Sequence, residues 1–333
     1  IRLYIEVTYI MQKNLFEVIV VATMSAGKST VINALIGKEL LHSANEATTA
    51  TITRIHDKDD LPFFSGNAYG YKSELIAEAH NIDAQTLREW NANPKIKMID
   101  LMGDIEALYN DEAELVIYDT PGPNNSQDDN HEALTMEVIN DGDYGLILYV
   151  LNATQLGVND DRSLLEKIKE ALEKDPNKEI LFLLNKADCL DEEKGERLDQ
   201  VVIRTKKYLT EVGFNNPIII PTAANYALVL QKMLNKALLT RSERAELRIA
   251  LDSLNTNLIV TSTIETEQKL KILNNIKKTK AEGKVKTANG NTITRQRLER
   301  ALMKSGFGVV NYLLQKRLAA INSKNVYKKS FFR

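Results

Sequence analysis

Cysteine is almost absent from this sequence. Cys189 is the only one in 333 residues, which excludes a disulfide within the chain and makes the reducing cytoplasm the expected location. Long apolar runs are lacking too, since none approaches the roughly 18 residues that a membrane-spanning helix requires. The first ten residues contain Arg2 and Glu6 and lack the pattern of a signal peptide.

Net charge is also small, at −2, but it is unevenly distributed. From Glu265 to Arg333 there are 17 Lys and Arg against 4 Asp and Glu, whereas the preceding residues carry 26 against 41. This asymmetry marks the C-terminal fifth as a different kind of surface. The length fits one large domain and a smaller part, and we predict a large domain over residues 1–240 and a basic, helical segment over residues 241–333. The chain begins with Ile1 rather than Met, so we expect it to be a fragment of a longer protein or a trimmed chain.

Five short apolar runs predict the strands of the larger part. They are rich in Val and Ile and do not alternate with polar residues, which is typical of strands buried on both faces of a parallel sheet. The runs are Phe16–Ala22, Glu114–Tyr118, Tyr144–Leu151, Glu179–Leu184 and Pro217–Ile220.

The stretches between these runs have apolar residues at helical spacing. They predict helices at Ser29–Ile36, Arg162–Glu173, Gly195–Val212 and Tyr226–Leu239. Alternating strands and helices indicate an α/β fold with a mostly parallel, doubly wound sheet. Ligands in such sheets bind beyond the carboxyl ends of the strands, so the residues that follow each run are the candidates for function.

The first run leads into Ala22–Ser29 (ATMSAGKS), which matches a phosphate-binding loop except that Ala22 stands in place of the first glycine. Gly27 lets backbone N–H groups approach a β-phosphate, Lys28 neutralises the β- and γ-phosphates, and the Ser29 hydroxyl ligates Mg²⁺. The nucleotide-binding residues predicted from this loop are Ala26, Gly27, Lys28, Ser29 and Thr30.

The second run is followed by Asp119–Gly122 (DTPG). In this position Asp119 is expected to hold Mg²⁺ through water, and the Gly122 amide is expected to contact the γ-phosphate. An ordinary turn is the alternative for this short motif.

Asn185–Asp188 (NKAD) follows the fourth run and predicts a guanine site. The Asp188 carboxylate can accept hydrogen bonds from N1–H and N2–H of guanine, a donor pair that adenine lacks. Asn185 is expected either to bond the base or to tie neighbouring loops together, and the Lys186 stem to pack on the ring. After the fifth run, Thr222 and Ala223 predict a backbone N–H for guanine O6, with Ala223 as the donor. Four such motifs in this order predict a P-loop GTPase.

Between the first two strands, Glu46–Ile55 (EATTATITRI) is typical of a switch segment. A threonine there closes over Mg²⁺ and the γ-phosphate, and of Thr48 and Thr49 the sequence favours Thr49. The alternative is a Thr-rich edge strand, which the alternation of Thr51 and Thr53 with Ile52 and Ile55 also fits.

In these motifs and the segments around them, the sequence resembles the bacterial dynamin-like GTPases, and most of all their clamp-binding and toxin-secretion-associated members. The resemblance spans residues 15–225 and extends weakly to Ser305–Leu318, where a GTPase domain leads into a helical stalk. It is carried by Met24–Gly37, Thr48–Thr53, Asp119–Asn124, Tyr149–Asp161 and NKAD.

The resemblance implies GTP hydrolysis with Mg²⁺. Pro123 stands where small GTPases have a glutamine, so the attacking water is expected to be held by the switch threonine and main-chain groups. Ser25 matches the residue that helps to place a monovalent cation, K⁺ or Na⁺, while Met24 departs from the family's glutamine and makes the rate an open question. The implied catalytic residues are Ser25, Lys28 and Thr49, and the implied metal ligands are Ser29, Thr49 and Asp119.

The family also pairs GTPase domains across the nucleotide, so a homodimer with a contribution from Asn152–Asp161 is expected. GTP and GDP are the predicted ligands.

Two segments allow more than one interpretation. The insertion at about residues 56–112, with helical-looking pieces at Lys72–His80 and Ala84–Asn91, is predicted to be a lid or packing subdomain rather than a partner-binding element. The basic segment contains Lys269–Lys280, which fits either a helix that covers its own domain, the favoured interpretation, or a contact with an anionic membrane.

Two functions follow from these alternatives. The chain is either the head of a larger membrane-associated mechanochemical GTPase, peripheral at the inner face of the membrane, or a slow GTP/GDP switch that recruits a protein or RNA partner. Nucleic acid is the less favoured partner.

Overall fold

A computed structural model describes residues 14–22, 25–42, 51–110, 113–121, 129–156, 159–287 and 292–330. Its strands are β1 (Asn14–Ala22), β2 (Ile52–Asp57), β3 (Ser65–Tyr69), β4 (Leu75–Ala79), β5 (Met98–Gly103), β6 (Ala113–Asp119), β7 (Leu146–Asn152), β8 (Glu179–Asn185), β9 (Ile219–Pro221), β10 (Lys284–Lys286) and β11 (Thr292–Thr294). Its α-helices are α1 (Lys28–Ile36), α2 (Ala84–Asn91), α3 (Asp129–Asp141), α4 (Asn159–Lys174), α5 (Leu198–Val212), α6 (Ala224–Leu234), α7 (Arg241–Ser253), α8 (Asn257–Thr261), α9 (Thr266–Lys278), α10 (Arg295–Leu302) and α11 (Gly308–Ser330).

The central sheet has the order β4–β3–β5–β2–β6–β1–β7–β8–β9. The five strands from β6 to β9 run parallel to one another. They coincide with the five apolar runs, so the predicted α/β fold with a mostly parallel sheet is confirmed. Because the strands share one direction, their carboxyl ends form a single edge.

Helices cover both faces of this sheet. Along β1, Val18 and Val20 face a core that includes α1, α6, α9 and α11. The intervening Ile19 and Val21 face the opposite core, with α3, α4 and α5. This alternation on two buried faces explains why the run shows no polar period.

The insertion widens the sheet. β2 pairs antiparallel with β6, and β5, β3 and β4 follow outward from it. The prediction of a helix at Lys72–His80 is wrong, because Leu75–Ala79 forms the edge strand β4 through its pairing with β3. Ala84–Asn91 is the helix α2, and its Trp90 packs into the same core as the sheet. A packing role is therefore seen for this segment.

The basic segment packs on the larger part. Ile272 and Ile276 of α9 are buried in the core beneath the sheet, while Leu270 is exposed. This contact matches the favoured interpretation of Lys269–Lys280 as a helix that covers its own domain. The boundary at residue 240 stays a prediction.

Among the described helices, none combines the length and the apolar character needed to cross a bilayer.

Candidate functional site

The turn between β1 and α1 places a backbone loop at the carboxyl edge of the sheet. Ser25 has φ +61 and Gly27 has φ +87, two left-handed conformations that fold the chain tightly before the helix begins. Lys28 is the first residue of α1, followed by the half-buried Ser29 and Thr30. A helix N-terminus that presents free N–H groups is suited to bind an anion.

Lys28 forms an ion pair with Asp119, which lies at the end of the neighbouring strand β6. Both side chains are largely buried, at 14% and 17% exposure, so the charges depend on each other for compensation. The segment after Asp119 is fixed by two hydroxyls. Thr120 donates to the carbonyl of Val20 at 3.0 Å, and Thr135 of α3 donates to the carbonyl of Pro121 at 3.0 Å.

Asn185 ties the loops of the site together. Its Nδ2 donates to the carbonyl of Ala26 in the phosphate-binding loop at 2.9 Å. Its Oδ1 accepts hydrogen bonds from the Thr222 hydroxyl at 3.3 Å and the Ala224 amide at 3.2 Å. Of the two roles predicted for Asn185, the structure shows the second.

The same amide explains why residue 27 has to be glycine. A Cβ on Gly27 would lie 2.6 Å from Nδ2 of Asn185, which is closer than real Cβ contacts. The aliphatic stem of Lys186 also passes this position, with Cε 3.9 Å from where that Cβ would be. The predicted phosphate and base residues therefore lie side by side.

Asp188 carries an uncompensated carboxylate oxygen. Its Oδ1 is buried and has no hydrogen-bond partner in the part of the chain that the structure describes. Its Oδ2 accepts a long contact of 3.8 Å from the thiol of Cys189. Burial raises the pKa of this carboxyl, with a smaller contribution from the charge of Glu246. A buried acceptor of this kind is suited to a ligand with N–H donors.

Ala223 requires a correction. Its N–H was predicted to meet guanine O6, but it donates instead to the carbonyl of Ser305 at 2.9 Å. The donor is occupied because the chain between α10 and α11 packs directly on this loop. Thr222 is fully buried, and its carbonyl accepts the N–H of Ala187 at 3.1 Å, which joins the two base-side loops.

Several predicted residues lie outside the described residues. They are the switch threonines Thr48 and Thr49, the γ-phosphate contact Gly122, and the departures Met24 and Pro123. Their roles stay predictions.

Two residues of this edge were not assigned to the site from the sequence. Asn152, at the end of β7, donates through Nδ2 to the carbonyl of Ser25 at 3.5 Å and accepts the N–H of Thr154 at 3.0 Å. Asn152 could have been identified from the sequence, because it is a polar residue at the end of a buried apolar run. Gly306 has φ +91 within a π-helical turn, and a Cβ there would overlap the carbonyl oxygen of Pro221. No sequence pattern distinguishes this glycine from its neighbour Gly308.

Comparison with known proteins agrees with this geometry. The sequence model of the dynamin family matches residues 18–187, which include the phosphate-binding loop, Asp119 and Asn185. An uncharacterized protein from the xynA 3′ region of Caldicellulosiruptor sp. (strain Rt8B.4) is 26% identical over 235 residues, or 69% of this chain and 54% of that protein. The chain thus spans about half the length of the curated relative it matches.

Two solved structures of an oligomerised bacterial dynamin pair have the same fold. They superpose with TM-scores of 0.51 and 0.50 at 17% identity and cover 95% of this chain and 44% of theirs. Both are described as providing a mechanism for the long-range sensing and tethering of membranes. The narrower resemblance to clamp-binding and toxin-secretion-associated members stays a prediction. Because the match to the family model covers just over half of the chain, we conclude that the chain belongs to the dynamin family and contains a bacterial dynamin-like GTPase domain.

Proposed function

We propose that this chain binds GTP and GDP at the carboxyl edge of its sheet and hydrolyses GTP to GDP and phosphate. The observation that carries the proposal is the buried Oδ1 of Asp188, for which the described residues offer no hydrogen-bond partner. It lies three residues from Asn185, whose amide reaches the phosphate-binding loop. One end of the site therefore has an acceptor for a base, and the other has a cation and a helix N-terminus for phosphates.

Base selection follows from the cost of leaving Asp188 unpaired. Guanine offers N1–H and N2–H to the carboxylate, whereas adenine offers no such pair. A buried charged group without its hydrogen bonds costs about 1–3 kcal/mol or more, which corresponds to roughly a tenfold to hundredfold preference. Thr222 and Asn185 hold the surrounding loops in place.

Phosphate binding would use the pair of Lys28 and Asp119. The Lys28 ammonium would turn to the β- and γ-phosphates, which compensate its charge in place of Asp119. The Asp119 carboxylate and the Ser29 hydroxyl would then be available as metal ligands. Both are hard oxygen ligands of the kind that Mg²⁺ prefers. With Thr49 as a further ligand, these residues would hold Mg²⁺, which would supply positive charge against the charge that develops on the phosphates.

Hydrolysis would depend on the switch rather than on a glutamine. Thr49 and main-chain groups would hold the attacking water, the Gly122 amide would contact the γ-phosphate, and Ser25 would help to place K⁺ or Na⁺. A homodimer across the nucleotide, with Asn152–Asp161 in the contact, would complete the site. Asn152 already bonds the carbonyl of Ser25, so a contact there would reach the phosphate-binding loop directly.

The length of the relatives supports a role within a larger machine. Both bacterial dynamin structures are more than twice the length of the part that this chain matches, since it covers 44% of each. We infer that this chain is the GTPase head of such a protein, located in the cytoplasm and peripheral at the inner face of the membrane. The second candidate, a slow GTP/GDP switch that recruits a protein or RNA partner, is favoured by Met24, which stands in place of the family's glutamine, and by Pro123, which cannot orient a water as the glutamine of small GTPases does.

Turnover of GTP with and without Mg²⁺ tests the proposed activity. Wild type should release phosphate only with Mg²⁺, and Lys28→Ala should lose tight GTP binding because the phosphates lose their cation. Lys38→Ala is the matched control, since Lys38 follows the same helix at its other end. Nucleotide affinity that is unchanged in Lys28→Ala would remove the phosphate-site assignment.

A protein titration separates the two candidate functions. Turnover per protomer that rises with protein concentration, or with anionic liposomes, supports the dynamin-like head. Slow turnover that stays flat under both conditions supports the switch and rejects dimer-stimulated hydrolysis.

A further inference from the structure

Three aspartates converge at the far end of the inserted strands. Asp57 ends β2, Asp59 follows two residues later, and Asp104 comes directly after β5. Each offers a carboxylate oxygen, and these oxygens all lie within 4.8 Å of one another. Since β2 and β5 are parallel neighbours, their register brings the cluster together without any long loop.

One oxygen of this cluster is buried and unpartnered. Asp57 is only 1% exposed. Its Oδ1 accepts the N–H of Ile105 at 2.8 Å, but its Oδ2 has no hydrogen-bond partner within the described ranges. A buried carboxylate oxygen without a partner is costly and calls for a ligand that supplies positive charge.

The surrounding contacts orient the cluster, and within the described part of the chain no Lys, Arg or His side chain forms an ion pair with it. Asn110 donates through Nδ2 to the backbone carbonyl of Asp57 at 3.1 Å and to Oδ1 of Asp59 at 3.2 Å. The nearby ammonium of Lys58 is paired with Glu114 instead. Burial, together with the charges of Asp59 and Asp104, raises the pKa of Asp57 to about 7.

This cluster is separate from the nucleotide site. In the antiparallel pair of β2 and β6, Thr53 lies opposite Asp119, the predicted ligand of the nucleotide-bound Mg²⁺. Asp57 is four residues further along β2, a distance of roughly 13 Å at the usual rise of a strand. The aspartate cluster therefore lies at the opposite edge of the sheet from the phosphate-binding loop.

We propose that Asp57, Asp59 and Asp104 bind a divalent cation, with Ca²⁺ preferred over Mg²⁺. Ca²⁺ takes six to eight oxygen ligands at about 2.3–2.6 Å in flexible geometry, whereas Mg²⁺ demands an octahedron at about 2.0–2.1 Å. Three carboxylates within 4.8 Å of one another form a ligand set of the kind that Ca²⁺ accepts, whereas Mg²⁺ is usually held by one or two carboxylates together with substrate phosphates. Asp104 also lines a cavity of about 630 Å³, from which water can complete the coordination.

A bound cation would stabilise the contact between the insertion and α11. The loop after Asp104 reaches α11 through Tyr109, whose N–H and carbonyl both bond the side-chain amide of Gln315 at 2.9 Å. The cation would fix one end of this loop while Gln315 holds the other.

Calorimetric titration of the nucleotide-free chain with CaCl₂ tests the proposal. Wild type should bind one Ca²⁺ and melt at a higher temperature with it. Asp104→Asn should weaken the affinity by more than about tenfold, because even the loss of an outer partner of a metal site costs 10–100-fold. Glu106→Gln is the matched control. It also removes one negative charge, but Glu106 lies two residues after Asp104 and does not belong to the cluster.

Asp119→Asn tests whether Ca²⁺ binds at the aspartate cluster rather than at the nucleotide site. This variant should retain Ca²⁺ binding in the absence of nucleotide, even though it is expected to lose nucleotide-dependent Mg²⁺. The proposal is overturned if wild type binds no Ca²⁺, or if Asp104→Asn and Glu106→Gln have equal affinity. It is also overturned if Asp119→Asn alone removes the binding.

Discussion

Substitution of Gly306 by alanine separates two effects that the structure places at one residue. Gly306 has φ +91, where an L side chain is strained by about 1–2 kcal/mol. A Cβ would also overlap the carbonyl oxygen of Pro221 and lie 3.0 Å from Cα of Thr222, both of them backbone atoms. Displacing well-packed neighbours typically costs a further 1–3 kcal/mol, so we expect a total of about 2–5 kcal/mol.

Gly283 provides the matched control for the backbone strain that a side chain at positive φ causes. It has φ +96, close to that of Gly306, and a Cβ there would meet nothing within 4 Å. Gly283→Ala should therefore lower the free energy of unfolding by only about 1–2 kcal/mol. The difference between the two variants measures the overlap with the loop of Pro221 and Thr222.

This overlap should also weaken nucleotide binding. The loop from Pro221 to Ala224 is tied to Asn185, and through it to the phosphate-binding loop. We expect Gly306→Ala to weaken GDP affinity, measured by calorimetry, and Gly283→Ala to leave it unchanged. Equal stability losses in urea unfolding, together with equal GDP affinities, would show that the π-helical turn before α11 does not support the loop from Pro221 to Ala224.

Two further predictions concern buried polar groups. Asn185→Ala removes the hydrogen-bond partner of the Ala26 carbonyl and the Ala224 amide, so it should lower the free energy of unfolding in urea by about 1–3 kcal/mol and weaken GDP binding. Asn225→Ala, at an exposed position, is the control and should change neither quantity. Equal losses in the two variants would contradict this prediction. Burial raises the pKa of Asp57 to about 7, so between about pH 4 and pH 7 the folded chain keeps a proton that the unfolded chain has lost, and this carboxyl lowers stability as the pH rises. In the presence of a chelator, the stability of Asp57→Asn relative to wild type should therefore increase by about 2–4 kcal/mol from pH 4 to pH 7.5, and a difference that is constant with pH would show that Asp57 titrates normally.

Much of the parallel half of the sheet could be predicted because its strands are buried on both faces. Runs such as Phe16–Ala22 need no pairing information to be identified, and each ends in residues with a specific chemistry. The left-handed Gly37 after α1 also ended its helix where the sequence indicated.

The inserted strands were harder because pairing determines them. Lys72–His80 contains Glu, Ala and Leu, which favour helices, but the edge of the sheet next to β3 makes it a strand. Local preference cannot reveal such a partner.

The failure at Ala223 has a similar cause. Its amide is occupied by Ser305, a residue 82 positions later that reaches the loop only through the π-helical turn before α11. A motif identifies the loop but not what packs against it from elsewhere in the chain.

Calorimetric titration of wild type and Asp188→Asn with GDP and XDP is the most direct test of guanine recognition at the carboxyl edge. An asparagine amide can donate to the O2 that xanthine offers but cannot accept both guanine donors. We expect wild type to prefer GDP and Asp188→Asn to prefer XDP, with the unfolding free energy little changed because Asp188 has no close hydrogen-bond partner among the side chains that the structure describes. A variant that keeps the wild-type preference for GDP would contradict the assignment of Asp188 as the base-reading residue.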